Sequence, residues 1–451
     1  MCSSDLEPRV FPSGKLSQLH LTESHFQEWQ NEQILLKPLG QSALVASVTW
    51  TAVGPMGAIS GNAGAQLLKS GRLNFITIHP TQYSRLWVGA PAGGLWSSSN
   101  GGQSWTTNTD FLPVTGCSDL AVDPTNTLVM YLATGDGDAG DNRSIGVLKT
   151  TNGGQNWFTT GLTNPVSNWF LIRRLIINPS NPQILLAATN SGVYRTANGG
   201  NNWTLVNAAN TCDLEFKPGD PNTVYAAGNS FSVSTNGGQN FMQITNGIAS
   251  SGVNRMAIAV TSNDSNYVYV LASSSSNSGY QGFYKSVNSG MAFTASTNTL
   301  NLLGWSNAGT DNGGQGWYDL CIACAPNNKD EVVVGGVNVW RTTDGGNNWS
   351  IYGHWVGSGA PFTHADQHDL EYAPDGTLYV INDGTVYRRG VNTWTEISGT
   401  MNISQIYRMG MSSLTANKWI SGHQDNGTSI WNGTTYNAAL GGDGKIGRAH
   451  V

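Results

Sequence analysis

Two short segments near the C-terminal end alternate histidine and carboxylate residues. His364, Asp366 and His368 alternate in the first segment, and His423 and Asp425 repeat the spacing in the second. Residues two apart in an extended chain project to the same side, so the first three would line one surface. Such a set is compatible with three interpretations: a divalent metal site, a glycosidase pair of carboxyl groups, or a hydrogen-bonded plug of buried polar groups without chemistry.

Neighbouring polar and aromatic residues extend the set of candidates. The catalytic candidates are four carboxylates, Asp366, Asp369, Asp425 and Asp443. The ligand-binding candidates are His364, His368, His423, Gln424, Asn426, Asp383, Trp317 and Trp355. Two further tryptophans, Trp169 and Trp305, also lie outside the repeated positions described below. An indole can stack on the apolar face of a sugar, and it can equally belong to the core.

A third segment is a short acidic loop that contains Asp136, Asp138 and Asp141. Its oxygen ligands are spaced as a calcium site would require, but the remaining positions of an EF-hand loop are absent. The loop therefore predicts either a calcium site or a solvated turn. For this loop, calcium is the cofactor that the sequence suggests.

The composition excludes some classes of partner. Charged residues make up 11% of the 451 residues, and the formal net charge of -6 comes without a basic stripe, which argues against a nucleic-acid partner. No apolar run is long enough to predict a transmembrane segment. With 56 glycines and 16 tryptophans, the sequence predicts a surface that is largely neutral and hydrogen-bonding.

A sequence pattern that recurs six times indicates the strands and turns that must position these residues. The pattern is Ser or Thr, any residue, Asn or Asp, any residue, Gly, two residues, and then Trp or Phe. The copies are roughly 40 to 55 residues apart, which suits one four-stranded unit per copy. The third and eighth positions are Asn100 and Trp105, Asn152 and Trp157, Asn198 and Trp203, Asn236 and Phe241, Asn288 and Phe293, and Asp344 and Trp349. A degenerate copy ends at Trp394.

The pattern has a structural cause. An Asn or Asp oxygen can accept hydrogen bonds from nearby backbone N–H groups, and the glycine permits a positive φ. The aromatic residue begins the next strand and can be buried between sheets. We therefore interpret the six copies as structural hairpins rather than as catalytic groups.

Around each copy the sequence predicts four short strands, and residues 50–445 are expected to form an all-β fold, a β-propeller of about seven to eight blades. The turns that join first to second and third to fourth strands share one end of such a fold with the hairpins. The other loops, which carry the polar candidates, share the opposite end, where function is usual. A helix is predicted only at residues 23–33.

The two ends of the chain depart from this pattern. Residues 1–6 and 446–451 match translations of a sequencing adapter and of its complement, so we interpret both as artefacts and the chain as an internal fragment. Residues 7–49 are then an N-terminal extension ahead of the repeats.

The repeated hairpins resemble those of the BNR or Asp-box propellers, which include sialidases, sortilin-type receptors and oligoxyloglucan hydrolases. The chain looks most like large secreted proteins of Bacteroidetes-type bacteria, through stretches such as 71–75, 89–96 and 135–141. The resemblance implies a secreted or cell-surface location and binding of a polysaccharide or surface glycan at the channel mouth. A glycoside hydrolase and a sortilin-like receptor for an extracellular protein or peptide remain as alternatives.

Overall fold

The computed structural model describes Gly54 and residues 70–444. The predicted helix at 23–33, the extension at 7–49 and both terminal hexapeptides lie outside the described residues. Within them the chain forms strands, turns and loops without a helix, and so no helix there could cross a membrane. Short alternating segments separated by glycine and asparagine turns favour this all-β outcome.

Thirty-two strands of the described region form eight four-stranded antiparallel sheets, and each sheet is a meander of consecutive strands. The first four sheets are β1 (Phe75–Ile78), β2 (Leu86–Ala90), β3 (Gly94–Ser98), β4 (Thr106–Thr107); β5 (Cys117–Val122), β6 (Met130–Thr134), β7 (Gly146–Thr150), β8 (Phe158–Thr163); β9 (Ile172–Ile177), β10 (Leu185–Thr189), β11 (Gly192–Thr196), β12 (Thr204–Asn207); and β13 (Thr211–Lys217), β14 (Asp220–Gly228), β15 (Phe231–Ser234), β16 (Met242–Ile244).

The last four sheets complete the described chain. They are β17 (Val253–Val260), β18 (Val268–Ser274), β19 (Tyr280–Ser286), β20 (Thr294–Ala295); β21 (Cys321–Cys324), β22 (Val332–Gly335), β23 (Val339–Thr342), β24 (Ser350–Gly353); β25 (Gln367–Tyr372), β26 (Leu378–Asn382), β27 (Val386–Arg389), β28 (Trp394–Glu396); and β29 (Ile406–Met411), β30 (Trp419–His423), β31 (Thr428–Trp431), β32 (Tyr436–Leu440). The predicted all-β propeller is confirmed.

Seven of the eight sheets close into a ring. An apolar cluster fills each of the seven junctions between neighbouring blades. At the closing junction, Val88 of the first blade packs with Tyr379 and Ile381 of the seventh, and the backbone N–H of Leu73 donates to Asn382 O at 3.2 Å. The first strands of the blades surround a central cavity of about 270 Å³.

The eighth sheet, β29–β32, lies outside this ring. None of the described apolar clusters includes its residues. Its first strand is half-buried or exposed throughout, and Met411 is 71% exposed. The sequence predicted about seven to eight blades, and packing determines that the ring closes after seven.

The six repeated hairpins close in the same way, as the third copy shows. The hydroxyl of Thr196 donates to Asn198 Oδ1 at 2.9 Å and accepts the N–H of Gly200 at 3.1 Å. Asn198 Oδ1 also accepts the N–H of Asn202 at 3.0 Å. The corresponding hydroxyl bonds recur in the other five copies. Gly200 has a φ of 87°, which a side chain would disfavour.

Candidate functional site

Arg72 is the centre of a buried ion network at the end of the channel opposite the hairpins. It precedes β1, is 1% exposed, and donates to both oxygens of Asp136 at 3.2 and 2.9 Å. Its guanidinium also lies 3.7 Å from Asp383 and 4.8 Å from the ring centre of Tyr318. Burial opposes its charge, but Asp136, Tyr318 and Asp383 keep its pKa above the usual range. Arg72 therefore connects loops from three blades.

The acidic loop at Asp136 is paired with basic side chains. Asp138 lies 2.8 Å from Arg255 and 3.0 Å from His368, and these contacts lower its pKa against the effect of burial. The side chain of Asp141 is exposed, and its backbone N–H donates to Asp136. Asp136 and Asp138 turn to basic side chains and Asp141 is exposed, so the loop does not bring its three carboxylates together as calcium ligands. The predicted calcium site at these residues is replaced by an ion network.

His368 extends the ion network to the seventh blade. Its Nδ1 lies 3.0 Å from Asp138 Oδ2, and its Nε2 lies 2.7 Å from Asp383 Oδ1. Burial and Arg72 oppose protonation of His368, but the hydrogen bonds with the two carboxylates outweigh them and raise its pKa. An imidazolium that donates through both nitrogens fits this position.

Asp369, a catalytic candidate, points instead into the channel wall. Its carboxylate accepts the backbone N–H of Ile76 in the first blade at 3.0 Å. Asp119 and Asp213 hold the blades that follow them in the same way. We call these three residues the blade clasps. The structure therefore assigns Asp369 a structural role, because its oxygens satisfy backbone donors across a blade junction.

Three carboxylates meet beside the ion network, and we call Asp366, Asp383 and Asp425 the carboxylate cluster. Asp366 precedes β25, Asp383 lies in the β26–β27 loop, and Asp425 lies in the β30–β31 loop of the eighth sheet. One oxygen of each lies within 4.8 Å of the others. Asp366 and Asp383 are buried and Asp425 is half-buried. All three are candidates from the sequence, and the structure brings them together.

The first alternating segment does not place its three side chains on one surface as predicted. Asp366 has a φ of 63°, so the segment is not extended and its side chains diverge. His368 enters the ion network, whereas His364 Nε2 lies 3.3 Å from the backbone O of Asp425. The expectation that three side chains share one side is therefore wrong at Asp366, where the left-handed conformation interrupts the alternation.

The three carboxyl groups of the cluster have different pKa values. Burial opposes charge on Asp383, but His368 and then Arg72 hold its pKa at about 2. Burial and the charge of Asp383 raise the pKa of Asp425 to about 9. Burial, followed by Asp319 and Asp383, raises the pKa of Asp366 well above its usual range. Burial and mutual repulsion therefore raise the pKa values of Asp366 and Asp425, whereas basic partners keep the pKa of Asp383 low.

Asp319 is a site residue that the sequence did not reveal. It is fully buried, and neither of its oxygens has a donor partner among the described residues. The Asp319-Leu320 pair looks like the Asp-Leu pair of a blade clasp, as at Asp369-Leu370. Each clasp lies within its strand, however, whereas Asp319 lies two residues before β21. Asp319 lies beside the carboxylate cluster, because its N–H donates to Gln315 O and Gln315 Nε2 donates to Asp366.

The β30–β31 loop joins the eighth sheet to the ring. Gln424 Nε2 donates to the hydroxyl of Tyr318 at 3.1 Å, and Asn426 Nδ2 donates to the backbone O of Asp383 at 2.8 Å. The Tyr318 hydroxyl in turn donates to the Asp383 carboxylate, with oxygen distances of 2.9 and 3.0 Å. Gln424 and Asn426 are thus structural contacts of the site. Arg72 and Tyr318 were not predicted, because their partners lie far away in sequence.

The remaining two polar candidates lie at the edge of the site. Asp443 accepts the backbone N–H of Asp425 at 3.0 Å and so supports the loop. His423 faces Ser421 and Ser429 within the eighth sheet, and burial lowers its pKa to about 4. His423 therefore does not share the environment of Asp425, despite their alternate positions.

Four tryptophans occupy blade connections on the same face. Trp169 and Trp305 are 57% and 49% exposed, and Trp317 and Trp355 are half-buried. The Nε1 of Trp355 donates to the backbone O of Trp305 at 3.3 Å, which places these two residues side by side. By contrast, the hairpin residue Trp157 is 1% exposed. The hairpin tryptophans are therefore buried or half-buried, whereas those on the opposite face are half-buried or exposed.

Comparison with known proteins shows the fold class. No protein-family model and no curated protein matches the chain. The GH74 xyloglucanase from Xanthomonas campestris matches with a TM-score of 0.59 and 14% identity, over 81% of this chain and 60% of its own. The Niastella koreensis GH74 enzyme matches with a TM-score of 0.61 and 19% identity, over 85% of this chain and 61% of its own. The structure of YCF48 bound to D1 peptide matches with a TM-score of 0.50 and 17% identity, over 79% of this chain and 100% of its own.

These similarities define the chain as a β-propeller, which agrees with the eight four-stranded sheets. The chain spans about 60% of the length of the two GH74 enzymes. At identities below one fifth, the similarity concerns the fold, and the site has to be interpreted from its own geometry.

Proposed function

We propose that this propeller binds a neutral polysaccharide on the face formed by the connections into the sixth and seventh blades. The adjoining residues Trp305 and Trp355 carry this proposal, because accessible indoles can stack on sugar rings. Asn307 of the same connection lies exposed beside them and donates to Ser358 Oγ at 2.9 Å. With 11% charged residues, the surface suits a neutral ligand better than an ionic one.

The geometry of the carboxylate cluster supports binding over hydrolysis. The carboxyl groups of a glycosidase stand about 5–10 Å apart across the scissile bond, and a sugar and water must reach them. Here the oxygens of Asp366, Asp383 and Asp425 lie within 4.8 Å of one another, and the first two residues are buried. Burial of Asp366 and Asp383 keeps a sugar ring away from these two groups.

The fold similarity makes xyloglucan the first ligand to test, together with other neutral β-glucans, and we propose an extracellular location for the chain. Affinity electrophoresis and calorimetry would compare the wild type with Trp305→Ala and Trp355→Ala. We expect each variant to weaken binding about tenfold, the loss of roughly one stacking contact. Phe158→Ala is the matched control, because Phe158 is an exposed aromatic residue at the hairpin end.

Three results would contradict the proposal. Binding to none of the neutral polysaccharides would remove it, and so would equal affinity of the wild type and both tryptophan variants. Release of reducing ends that disappears in Asp425→Asn would favour a glycoside hydrolase instead. Binding from a peptide library, with no polysaccharide bound, would favour a sortilin-like receptor.

A further inference from the structure

The acids at the channel mouth outnumber their basic partners. Three of them have a basic partner: Asp136 has Arg72, Asp138 has Arg255, and Asp383 has His368. Asp319, Asp366 and Asp425 form no ion pair with any basic side chain of the described region. A buried acid without a counter-charge is strongly unfavourable unless a proton or a cation neutralises it.

Asp319 gives an independent indication that something is bound there. It is fully buried, and no N–H or hydroxyl donor of the described residues reaches either oxygen. Its backbone N–H donates to Gln315 O at 3.0 Å, and Gln315 Nε2 donates to Asp366 Oδ1 at 3.1 Å, which places Asp319 beside the carboxylate cluster. Buried polar atoms in folded proteins almost always have a partner. Two unpartnered carboxylate oxygens beside a carboxylate cluster are what a cation would satisfy.

We propose that Asp319, Asp366, Asp383 and Asp425 form a binding site for a calcium-type divalent cation. Calcium binds oxygen at about 2.3–2.6 Å, so ligands on opposite sides of the ion are about 4.6–5.2 Å apart. Oxygens of three of these residues lie within 4.8 Å of one another and fit one coordination sphere. The donor set consists of carboxylate oxygens, which hard cations prefer over the nitrogen and sulfur ligands of zinc.

The origin of the ligands favours calcium over magnesium. Asp319 comes from the connection into the sixth blade, Asp366 and Asp383 from the seventh blade, and Asp425 from the eighth sheet. Magnesium requires near-ideal octahedral geometry at about 2.0–2.1 Å, whereas calcium accepts irregular sets of six to eight ligands. Loops from three different sheets suit the less demanding ion. The bound cation would cross-link the eighth sheet to the ring, independently of polysaccharide binding.

Terbium luminescence on the metal-stripped full chain would test this site. Tyr318 donates to Asp383, so its ring can sensitise terbium bound at the cluster. We expect terbium emission that calcium displaces, with a calcium dissociation constant of about 1 mM or tighter. Calcium should also slow hydrogen exchange in β29–β32. Asp366→Asn and Asp425→Asn should each weaken calcium binding at least about tenfold and abolish this protection.

Asp344→Asn is the matched control, because the corresponding position is asparagine in the other five hairpins. It should bind calcium as the wild type does. The proposal is overturned if the wild type shows neither sensitised terbium emission nor calorimetric heat at millimolar calcium, since protons alone then neutralise the cluster. It is also overturned if both cluster variants retain wild-type affinity. Should Asp366→Asn fail to fold by circular dichroism, the half-buried Asp425→Asn decides the outcome.

Discussion

The seven-bladed ring and the eighth sheet share the same four-stranded meander, yet different forces hold them. In the second blade, β5 is buried along its whole length, and apolar clusters lie on both sides of the sheet. In the eighth sheet, β29 is half-buried or exposed throughout. That sheet contacts the ring through polar groups such as Gln424 and Asn426. Strand pairing therefore makes a sheet, but two-sided apolar burial makes it part of the ring.

The hairpins sharpen this contrast. Ring hairpins of the repeated type combine a hydroxyl, an Asn or Asp, a glycine and a buried or half-buried aromatic residue. The β31–β32 turn of the eighth sheet is a simple asparagine turn, in which Asn432 Oδ1 accepts the N–H groups of Thr434 and Thr435. Its neighbour Trp431 stacks instead on Trp419 within the same sheet, with the ring centres 5.3 Å apart.

The largest expected effect is the loss of a core indole from the ring. Trp157→Ala should destabilise the ring by about 3–5 kcal/mol, because it removes a fully buried aromatic residue from a junction of two blades. Trp431→Ala should leave the main denaturant transition unchanged and loosen only the eighth sheet. Urea unfolding together with hydrogen exchange by mass spectrometry would check both. If both variants lowered the stability measured in the main transition by a similar amount, the distinction between the ring and the eighth sheet would be wrong.

The second effect tests whether the ion network serves both regions. Arg72→Met should cost about 3 kcal/mol, because it leaves Asp136 and Asp383 buried without their guanidinium partner. Hydrogen exchange in the eighth sheet should also become faster, since Asp383 holds the β30–β31 loop. A variant with faster exchange only in the eighth sheet would show that apolar packing alone stabilises the ring.

A smaller effect is expected from one hairpin hydroxyl. Thr196→Ala should destabilise the ring by about 1–3 kcal/mol, because the buried N–H of Gly200 loses its acceptor. Thr434→Ala in the exposed turn of the eighth sheet should change stability by less than about 0.5 kcal/mol. Denaturant midpoints measured side by side would decide between them. An equal cost for the two changes would mean that the repeated hairpin has no special role in the ring.

The smallest effect concerns the pH dependence of the channel. Burial, followed by the charge of Asp369, raises the pKa of Glu371 from 4.5 to about 8, while Arg174 opposes the rise. Glu215 and Asp119 also face this group from other blades. The folded ring therefore binds more protons than the unfolded chain between about pH 4.5 and 8, and its stability falls as the pH rises through that window.

Melting curves of the wild type and Glu371→Gln between pH 5 and 8 would check this dependence. The wild type should melt at a lower temperature at pH 8 than at pH 5, and the variant should show a flatter profile. The half-buried side chain faces the channel, so the change should be small. A profile that rises towards pH 8 in the wild type and is unchanged in the variant would contradict the assignment.

Much of the site could be predicted from the sequence. Asp366, Asp383 and Asp425 all follow from polar loops that strand order places at one end of the fold, and the structure brings them within one cluster. The roles of Asp369 and His423 did not follow from spacing, because Asp369 bonds to a strand that lies 293 positions away along the chain. The prediction that His364 and Asp366 project to the same side is wrong for a local reason, because Asp366 has a positive φ.

The sequence by itself determined the local units of this protein. Hairpins form because hydroxyl, amide and glycine are spaced to satisfy one turn, and strands form because short apolar alternations lie between such turns. Only the tertiary structure decided that seven sheets close the ring, that Arg72 compensates acids from two distant loops, and that Asp319 lies beside the cluster instead of clasping a blade. These outcomes depend on residues far apart in the chain, whose contacts are determined by packing and charge compensation rather than by local spacing.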